Sequence, residues 1–319
     1  MSNSNPAILI TGGTGFAGSH LVKYLFDQGQ TNVHVTSYGS NTDFVNQILD
    51  PDNIHQIDLT NSEDTDALIE QVRPDQIYHL AALSGVGSSF NQVKKVIESN
   101  FEIELSLFSA VKEHTPQAKI LAIGSALEYR PTDKPLSEKD ELGPVNPYGV
   151  SKVLQDSLAF NYFVQHHLQI VRVRPFNHIG ERQALGFVVP DFAMQIAKIE
   201  QGQQKFIEVG NLDTTRDFTD VKDMVAAYAL LMKKGEVGEV YNIGSGQGIT
   251  IQQILDKLVD LAQKEIEVKT STEKHRPSDI RYLVCDNRKI KQLGWKPQHS
   301  VNQTLERILN YYRKQLVNQ

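Results

Sequence analysis

Residues 11–21 read TGGTGFAGSHL, and the fold is decided here. Just before them runs a short apolar stretch, residues 7–11 (AILIT), with the character of a buried strand. Just after, residues 17–28 place Leu21, Leu25 and Phe26 on one face of an amphipathic helix. Gly12, Gly15 and Gly18 stand between the two at G-x-x-G-x-x-G spacing. Glycine at such a turn lets the backbone approach a pyrophosphate, whose charge the amides at the helix start then hold. A tight turn alone also explains a glycine triplet. Strand before and helix after are the context that a dinucleotide-binding turn requires.

Outward from this turn, residues 33–36, 54–57, 77–80 (IYHL), 119–123 (KILAI) and 169–174 (QIVRVR) read as further strands. Amphipathic stretches separate several of them, the form of repeated βαβ units and a parallel sheet. A helix near 62–72 should stop before Arg73-Pro74, because proline disfavours helical geometry in the residue ahead of it. The expected fold is α/β: a Rossmann doubly wound parallel sheet with a smaller, interleaved C-terminal domain. Residues 1–175, with about 210–245, would form the first domain, and about 176–209 and 246–319 the second. The charged run near 137–141 reads as a solvated loop.

Composition sets further bounds. The 319 residues are 40% hydrophobic and 22% charged, as in a soluble globular chain. A formal net charge of -6 argues against broad binding to nucleic acid or to anionic membrane. The single cysteine, Cys285, rules out an internal disulfide and a cysteine-based zinc cluster, and fits a reducing cytosol. No apolar run approaches the ~20 residues of a membrane span, and the N-terminus lacks the basic segment of a signal peptide. A cytoplasmic protein with no metal centre is expected.

The second strand should end in Asp or Glu if a ribose 2′-hydroxyl of NAD is to be gripped. Thr36, Ser37 and Tyr38 stand there instead, followed by Gly39 and Ser40. No carboxylate repels a 2′-phosphate and no nearby cation attracts one, so NADP(H) is favoured and NAD(H) remains open. Asp58, at the tip of the third strand, suits the adenine amino group; it also suits the N-cap of the next helix.

In NPYGVSK, Tyr148 and Lys152 are four apart, one helical turn on the same face. Pro147 suits a first turn, so both groups should project near the helix start. A phenol has an ordinary pKa near 10, and an ammonium beside it is expected to stabilise the phenolate. Such a pair often merely decorates a helix. Ser125 gives it weight, because it follows the fifth strand, and ligands gather at the carboxyl ends of strands in open parallel sheets. Its hydroxyl and the phenol could polarise one carbonyl for hydride attack. The other reading of Ser125 is a loop cap.

TGGTGFAGSHL, HLAA at residues 79–82, Asn100, Ser125 and YGVSK together resemble the extended short-chain dehydrogenase/reductases that act as nucleotide-sugar epimerases, dehydratases and reductases. The resemblance implies that Tyr148 is the acid/base, Lys152 its electrostatic partner and Ser125 the carbonyl ligand. It further implies cofactor contacts from Thr14, Phe16, Ser37, Leu59, Leu80, Ala81 and Ala82, with Asn100 supporting that side of the site. It also implies a homodimer joined through residues 92–112 and 148–167, the latter carrying Val153, Leu154, Leu158 and Phe163.

RPFNHIG at 174–180, LGFVVPDFAMQI, VGNLDTTRDFTDVKD and RPSD resemble the GDP-mannose branch, in pattern most like reductases of GDP-4-keto-6-deoxy-D-mannose. A nucleotide diphosphate calls for guanidinium forks. Arg216 in TTRDF and Arg276 in HRPSD suit that task, with Asn177 as a further donor and Arg182 as a nearby loop charge; any one of them also reads as a solvated surface residue. Ser84 and Ser88 resemble pocket residues for the sugar, and Phe187 and Val188 either pack on the base or belong to the core.

One departure bears on the reaction. The 4,6-dehydratases of this family carry a Glu two positions after the Ser or Thr, to remove the C5 proton. Leu127 occupies that position here, and Glu128 on an extended segment would point to the opposite face. That disfavours elimination without marking a reductase, since many reductases of the family keep the Glu; reduction of the 4-keto group to give GDP-D-rhamnose is what the resemblance implies. A 4-epimerase with tightly bound NAD is the alternative, and a GDP-mannose 4,6-dehydratase is less favoured.

Overall fold

The computed structural model describes residues 5–39, 42–84, 89–271 and 280–317. Its centre is a sheet of seven parallel strands. In chain order these are β1 (Ile8–Thr11), β2 (Val33–Ser37), β3 (Ile54–Gln56), β4 (Gln76–His79), β5 (Lys119–Ile123), β6 (Gln169–Pro175) and a last strand, Val240–Ile243. Across the sheet the order is Val240–Ile243, β6, β5, β4, β1, β2, β3. The winding reverses between β1 and β4, so their carboxyl ends flank the switch point where open α/β sheets bind ligands. The strands match those expected from the sequence to within a residue or two at their ends.

Local chemistry sets the helix boundaries. The first helix, α1 (Phe16–Asp27), starts directly from the glycine turn. The next, α2 (Ser62–Val72), is capped by Asn61, which accepts from the amides of Glu63 and Asp64. It ends on Arg73 in the left-handed conformation (φ 44°), immediately before Pro74. After α3 (Val93–His114), α4 (Pro147–His166) begins with proline in its first turn, and the Asn146 side chain accepts from Gly149 N at 2.8 Å.

Apolar side chains cover both faces of the sheet. On one, Ile10, Val35 and Leu21 pack with Met224 and Tyr228 from helix Val221–Lys234. On the other, Leu9, Ile77 and Ile120 pack with Leu107 and Phe108 of α3. A further core gathers Phe192, Ile207, Leu255 and Leu309 from helices Val188–Glu200, Ile251–Asp260 and Val301–Val317 and strand Phe206–Val209.

The structure differs from expectation after Ser125. Residues 126–128 form a turn of 3-10 helix instead of an extended segment. The reason is a capping box: Ser125 Oγ accepts from Leu127 N (3.1 Å), while Glu128 Oε1 accepts from Ser125 N (2.6 Å). The charged run at 137–141 is a loop, yet Glu138 is not simply solvated, since its carboxylate accepts from Asn242 N at 2.8 Å. Among the described residues no helix is long and apolar enough to cross a membrane.

Candidate active site

A cleft of about 620 Å³ opens over the carboxyl ends of the strands. The glycine turn forms one end. Gly12 sits at φ +65°, and a side chain there would press on Ala81 Cα at 3.0 Å. At Gly18 an added Cβ would fall 2.2 Å from the Gly12 carbonyl, so α1 can approach the turn only through glycine. Gly15 caps α1 without a side chain, and no acidic residue lies in the first turn. Those amides have no intrahelical partners and suit an anion; this end fits a dinucleotide diphosphate.

Thr14, Phe16, Asp58, Leu59, Leu80, Ala81 and Ala82 all line the cleft as expected. Asn61 holds the α2 cap, and Asp58 instead accepts from Thr60 N (3.0 Å) and Oγ1 (2.8 Å). Two expected residues stand behind the wall. Ser37 is buried and accepts from the Thr14 hydroxyl at 3.3 Å, while Thr36 and Tyr38 line the cleft in its place. Asn100 is fully buried, donating to Ser151 Oγ (2.9 Å) and accepting from Leu83 N (2.7 Å), so it braces the loop after β4.

At the other end Ser125, Tyr148 and Lys152 come together on the cleft wall. The Tyr148 phenol and the Ser125 hydroxyl are near enough for the hydroxyl to act on the phenol's titration. Lys152 donates to the Ile123 carbonyl at 2.8 Å, with its Nζ 5.9 Å from the centre of the Tyr148 ring. The net direction for the phenol runs against the expected lowering in this geometry. Burial, aided by the Glu128 carboxylate, pushes Tyr148 above its ordinary value, and the nearby Ser125 hydroxyl only partly offsets it. Tyr148 is therefore protonated at neutral pH, the form in which a phenol donates.

Behind this trio lies a charge network that sequence reasoning missed. Glu128 is fully buried and accepts from Arg174 Nε at 2.7 Å through Oε2. Arg174 also reaches Asp156 (2.9 Å) and the Tyr129 hydroxyl (3.0 Å), and Arg172 bonds Asp156 at 3.0 Å. Burial raises the Glu128 carboxyl to about 8 despite Arg174. Gly124 makes room for it, as a Cβ there would sit 2.3 Å from Glu128 Oε1. Leu127, not Glu128, lines the cleft. The Ser-x-x-Glu capping box at 125–128 was the available signal; the partners of Glu128 lie too far along the chain for any local pattern to reveal.

The remaining candidates divide. Asn177, Ser84 and Phe187 line the cleft. Val188 is the first residue of its helix and packs against the third core. Arg216 donates to its neighbour Thr215 O at 2.9 Å and does not line the cleft. Arg182, at φ 68°, stacks 3.6 Å over the Phe44 ring and donates to Ser19 Oγ at 3.3 Å. Ser88 and Arg276 lie outside the described residues. His178, stacked on Phe16 at 5.7 Å, and Lys95 and Ser99 of α3 also line the cleft; only tertiary packing brings the α3 pair there. Among the described residues no cluster of His, Cys, Asp or Glu suits a metal ion.

A glycine turn at the switch point of a parallel sheet, with a serine, tyrosine and lysine at the far end of one cleft, defines the class as NAD(P)-dependent short-chain dehydrogenase/reductases. Within it, the chain belongs to the GDP-mannose 4,6 dehydratase family, whose model matches residues 9–308. It is 32% identical over 308 residues to a GDP-6-deoxy-D-mannose reductase of Pseudomonas aeruginosa, covering 95% of this chain and 96% of the relative. The structure of RMD from Pseudomonas aeruginosa complexed with NADPH superimposes with a TM-score of 0.85 at 31% identity, covering 97% of this chain and 99% of the other. UDP-glucose 4-epimerase from Thermotoga maritima, solved with UDP-glucose, gives a TM-score of 0.86 at 27% identity, with 97% and 99% covered.

Proposed function

We propose that the protein reduces the 4-keto group of GDP-4-keto-6-deoxy-D-mannose, using NADPH in preference to NADH, to give GDP-D-rhamnose. The observation that carries this reading is that Ser125, Tyr148 and Lys152 share the cleft wall, with Leu127 beside them where elimination would need a carboxylate.

Gly12, Thr14, Gly15, Phe16 and Gly18 would hold the dinucleotide diphosphate, with Asp58, Leu59 and residues 80–82 along its adenosine side. When bound, the reduced nicotinamide supplies hydride. Ser125 donates a hydrogen bond to the ketone oxygen, and Tyr148 delivers its proton as that oxygen becomes an alkoxide. Lys152 favours the phenolate left behind. Leu127 can accept no proton, so the site lacks a base for the C5 hydrogen, and Glu128 is held inward by Arg174.

The missing carboxylate at the end of β2 favours a 2′-phosphate, and the NADPH named with the Pseudomonas structure agrees with that choice. Asn177, Ser84 and Phe187 take the sugar nucleotide, with Arg276 as the proposed partner of its diphosphate; Arg216, off the cleft, would reach it only by leaving Thr215. The proposed domains are residues 1–175 with about 210–245 for the dinucleotide, and about 176–209 with 246–319 for the sugar nucleotide. Two copies would pair through residues 92–112 and 148–167; of the apolar residues expected there Leu154 is exposed and Val153, Leu158 and Phe163 are half-buried, with Phe160 and Val164 adding to the exposed face. The reaction belongs in the cytoplasm, where nucleotide sugars are made for surface polysaccharide.

The test mixes purified protein, NADPH and GDP-4-keto-6-deoxy-D-mannose and follows loss of the reduced cofactor. Oxidation of one NADPH per product supports the reading. A folded protein that consumes no cofactor, or that copurifies with NAD and returns a C4 epimer, overturns it.

A further inference from the structure

Helices α3 and α4 run side by side, and their contacts fix what meets across the seam. Near one end Asn100 donates to Ser151 at 2.9 Å. About three turns on, Ser109 and Tyr162 share a hydrogen bond of 3.0 Å, and the Phe108 ring lies 5.4 Å from that of Tyr162. Glu104 falls midway on the same stripe of α3, four residues from Asn100 and four from Phe108. On α4 the residues at that level are Lys152, Gln155 and Asp156, all buried. Glu104 is itself only 2% exposed. Its Oε2 and the Oε1 of Gln155 are buried without a hydrogen-bond partner.

A buried carboxyl costs several kcal/mol unless a cation answers it, so its retention needs a reason. Near Glu104 lie Lys152, Asp156 and Glu128, the last two tied in turn to Arg172 and Arg174. The two arginines are taken up by Glu128 and Asp156. Lys152 donates to the Ile123 carbonyl and has no carboxylate within 4 Å among the described residues, and Glu104 is the buried carboxylate of the group that no arginine takes up. We propose that Glu104 is a positioning residue for this site: set behind Lys152 in the α3–α4 seam, it fixes the charge of the ammonium that serves Tyr148. The role attributed to Lys152 rests on the keto-reduction reading; the pairing does not.

The electrostatics agree in direction. Burial drives the Lys152 ammonium below its ordinary value, and Glu104 foremost, then Glu128, pulls it back. Burial drives the Glu104 carboxyl well above its ordinary range, Lys152 pulls it down, and Asp156 and Glu128 push it further up. From β4, His79 also faces Lys152, and burial together with that ammonium holds it neutral, at about 3. Arg174, from β6, reaches the cluster through Glu128 and Asp156.

The experiment titrates Lys152 by NMR of the isotope-labelled lysine side chain, assigned with Lys152→Arg, in the wild-type protein, in Glu104→Gln and in Glu104→Asp. Glu104→Gln should lower the Lys152 midpoint by at least one pH unit, a tenfold loss of proton affinity. Glu104→Asp should recover at least half of that loss. With substrate, the alkaline limb of kcat should move by the same amount, while NADPH binding by fluorescence stays within twofold. An unchanged Lys152 midpoint in Glu104→Gln overturns the proposal. If that variant does not fold, an unchanged Lys152 midpoint in the neutral, similarly sized Glu104→Met overturns it equally. The titration needs no substrate, so a shifted midpoint in a protein that reduces no keto sugar sinks the substrate reading and leaves the pairing standing.

Discussion

The two ends of the cleft are built from different materials. The glycine end uses backbone: Gly12 at positive φ, Gly18 against a carbonyl, and the open amides of α1. The far end uses side chains from β5, the 126–128 turn, α3, α4 and β6, braced by buried charge. A backbone cradle tolerates variation in what surrounds it but not in its own glycines. A side-chain constellation fails when any brace is removed. The ends should therefore break differently, one in binding and the other in chemistry.

Tyr148→Phe gives the largest separation. It should lower kcat by ~10²–10⁴-fold, the range for one general acid, while NADPH binds within twofold of wild type. Parallel losses in both would erase the division between the ends. Next, Arg174→Leu strips Glu128 and Asp156 of their shared cation. A thermal or urea melt should record a loss of ~3–5 kcal/mol, the cost of a buried charge left alone.

The ends also respond oppositely to pH. His20 on α1 is held neutral, from an ordinary 6.5 down to about 4, chiefly by burial. The unfolded chain takes up that proton first, so stability is complete above pH 6.5 and drains as pH falls toward 4, by up to ~3 kcal/mol. His20→Gln should flatten that fall in melting temperature. Glu128, raised from 4.5 to about 8, acts in the reverse sense: the unfolded chain ionises first, and stability drains as pH climbs through that interval. Glu128→Gln should remove that slope while lowering stability overall.

The smallest expected effect belongs to Gly12→Ala. Left-handed backbone costs a residue with a side chain ~1–2 kcal/mol, and the added methyl would crowd Ala81. Melting temperature and NADPH affinity should both drop, with kcat at saturating cofactor unchanged. A lower kcat at saturation would mean that the cradle also aims the chemistry.

The same contrast governs what the sequence could reveal. The glycine end is local, so spacing between a strand and a helix sufficed, and Tyr148 with Lys152 was legible because four residues make a helical turn. Ser37 was misplaced because the end of β2 turns its hydroxyl inward to Thr14, a choice that strand pattern does not encode. Glu128 was assigned the wrong geometry because its segment was read as extended, although its capping box lay in plain order. Glu104 sits in a helix rich in charge, where a carboxylate ordinarily faces water; only α4 packing against it shows otherwise. Lys152 was expected to acidify Tyr148, and the opposite direction emerged because burial outweighs a neighbour engaged elsewhere.

A single-turnover experiment addresses the central claim most directly. Enzyme in excess over GDP-4-keto-6-deoxy-D-mannose is mixed with NADPH, and cofactor oxidation and the sugar nucleotide are followed together by absorbance and mass spectrometry. The account predicts one NADPH oxidised for each ketone converted to the alcohol in the wild type, and no conversion on the same timescale in Tyr148→Phe. Equal conversion by the two proteins, or an epimer formed with no cofactor consumed, would contradict it.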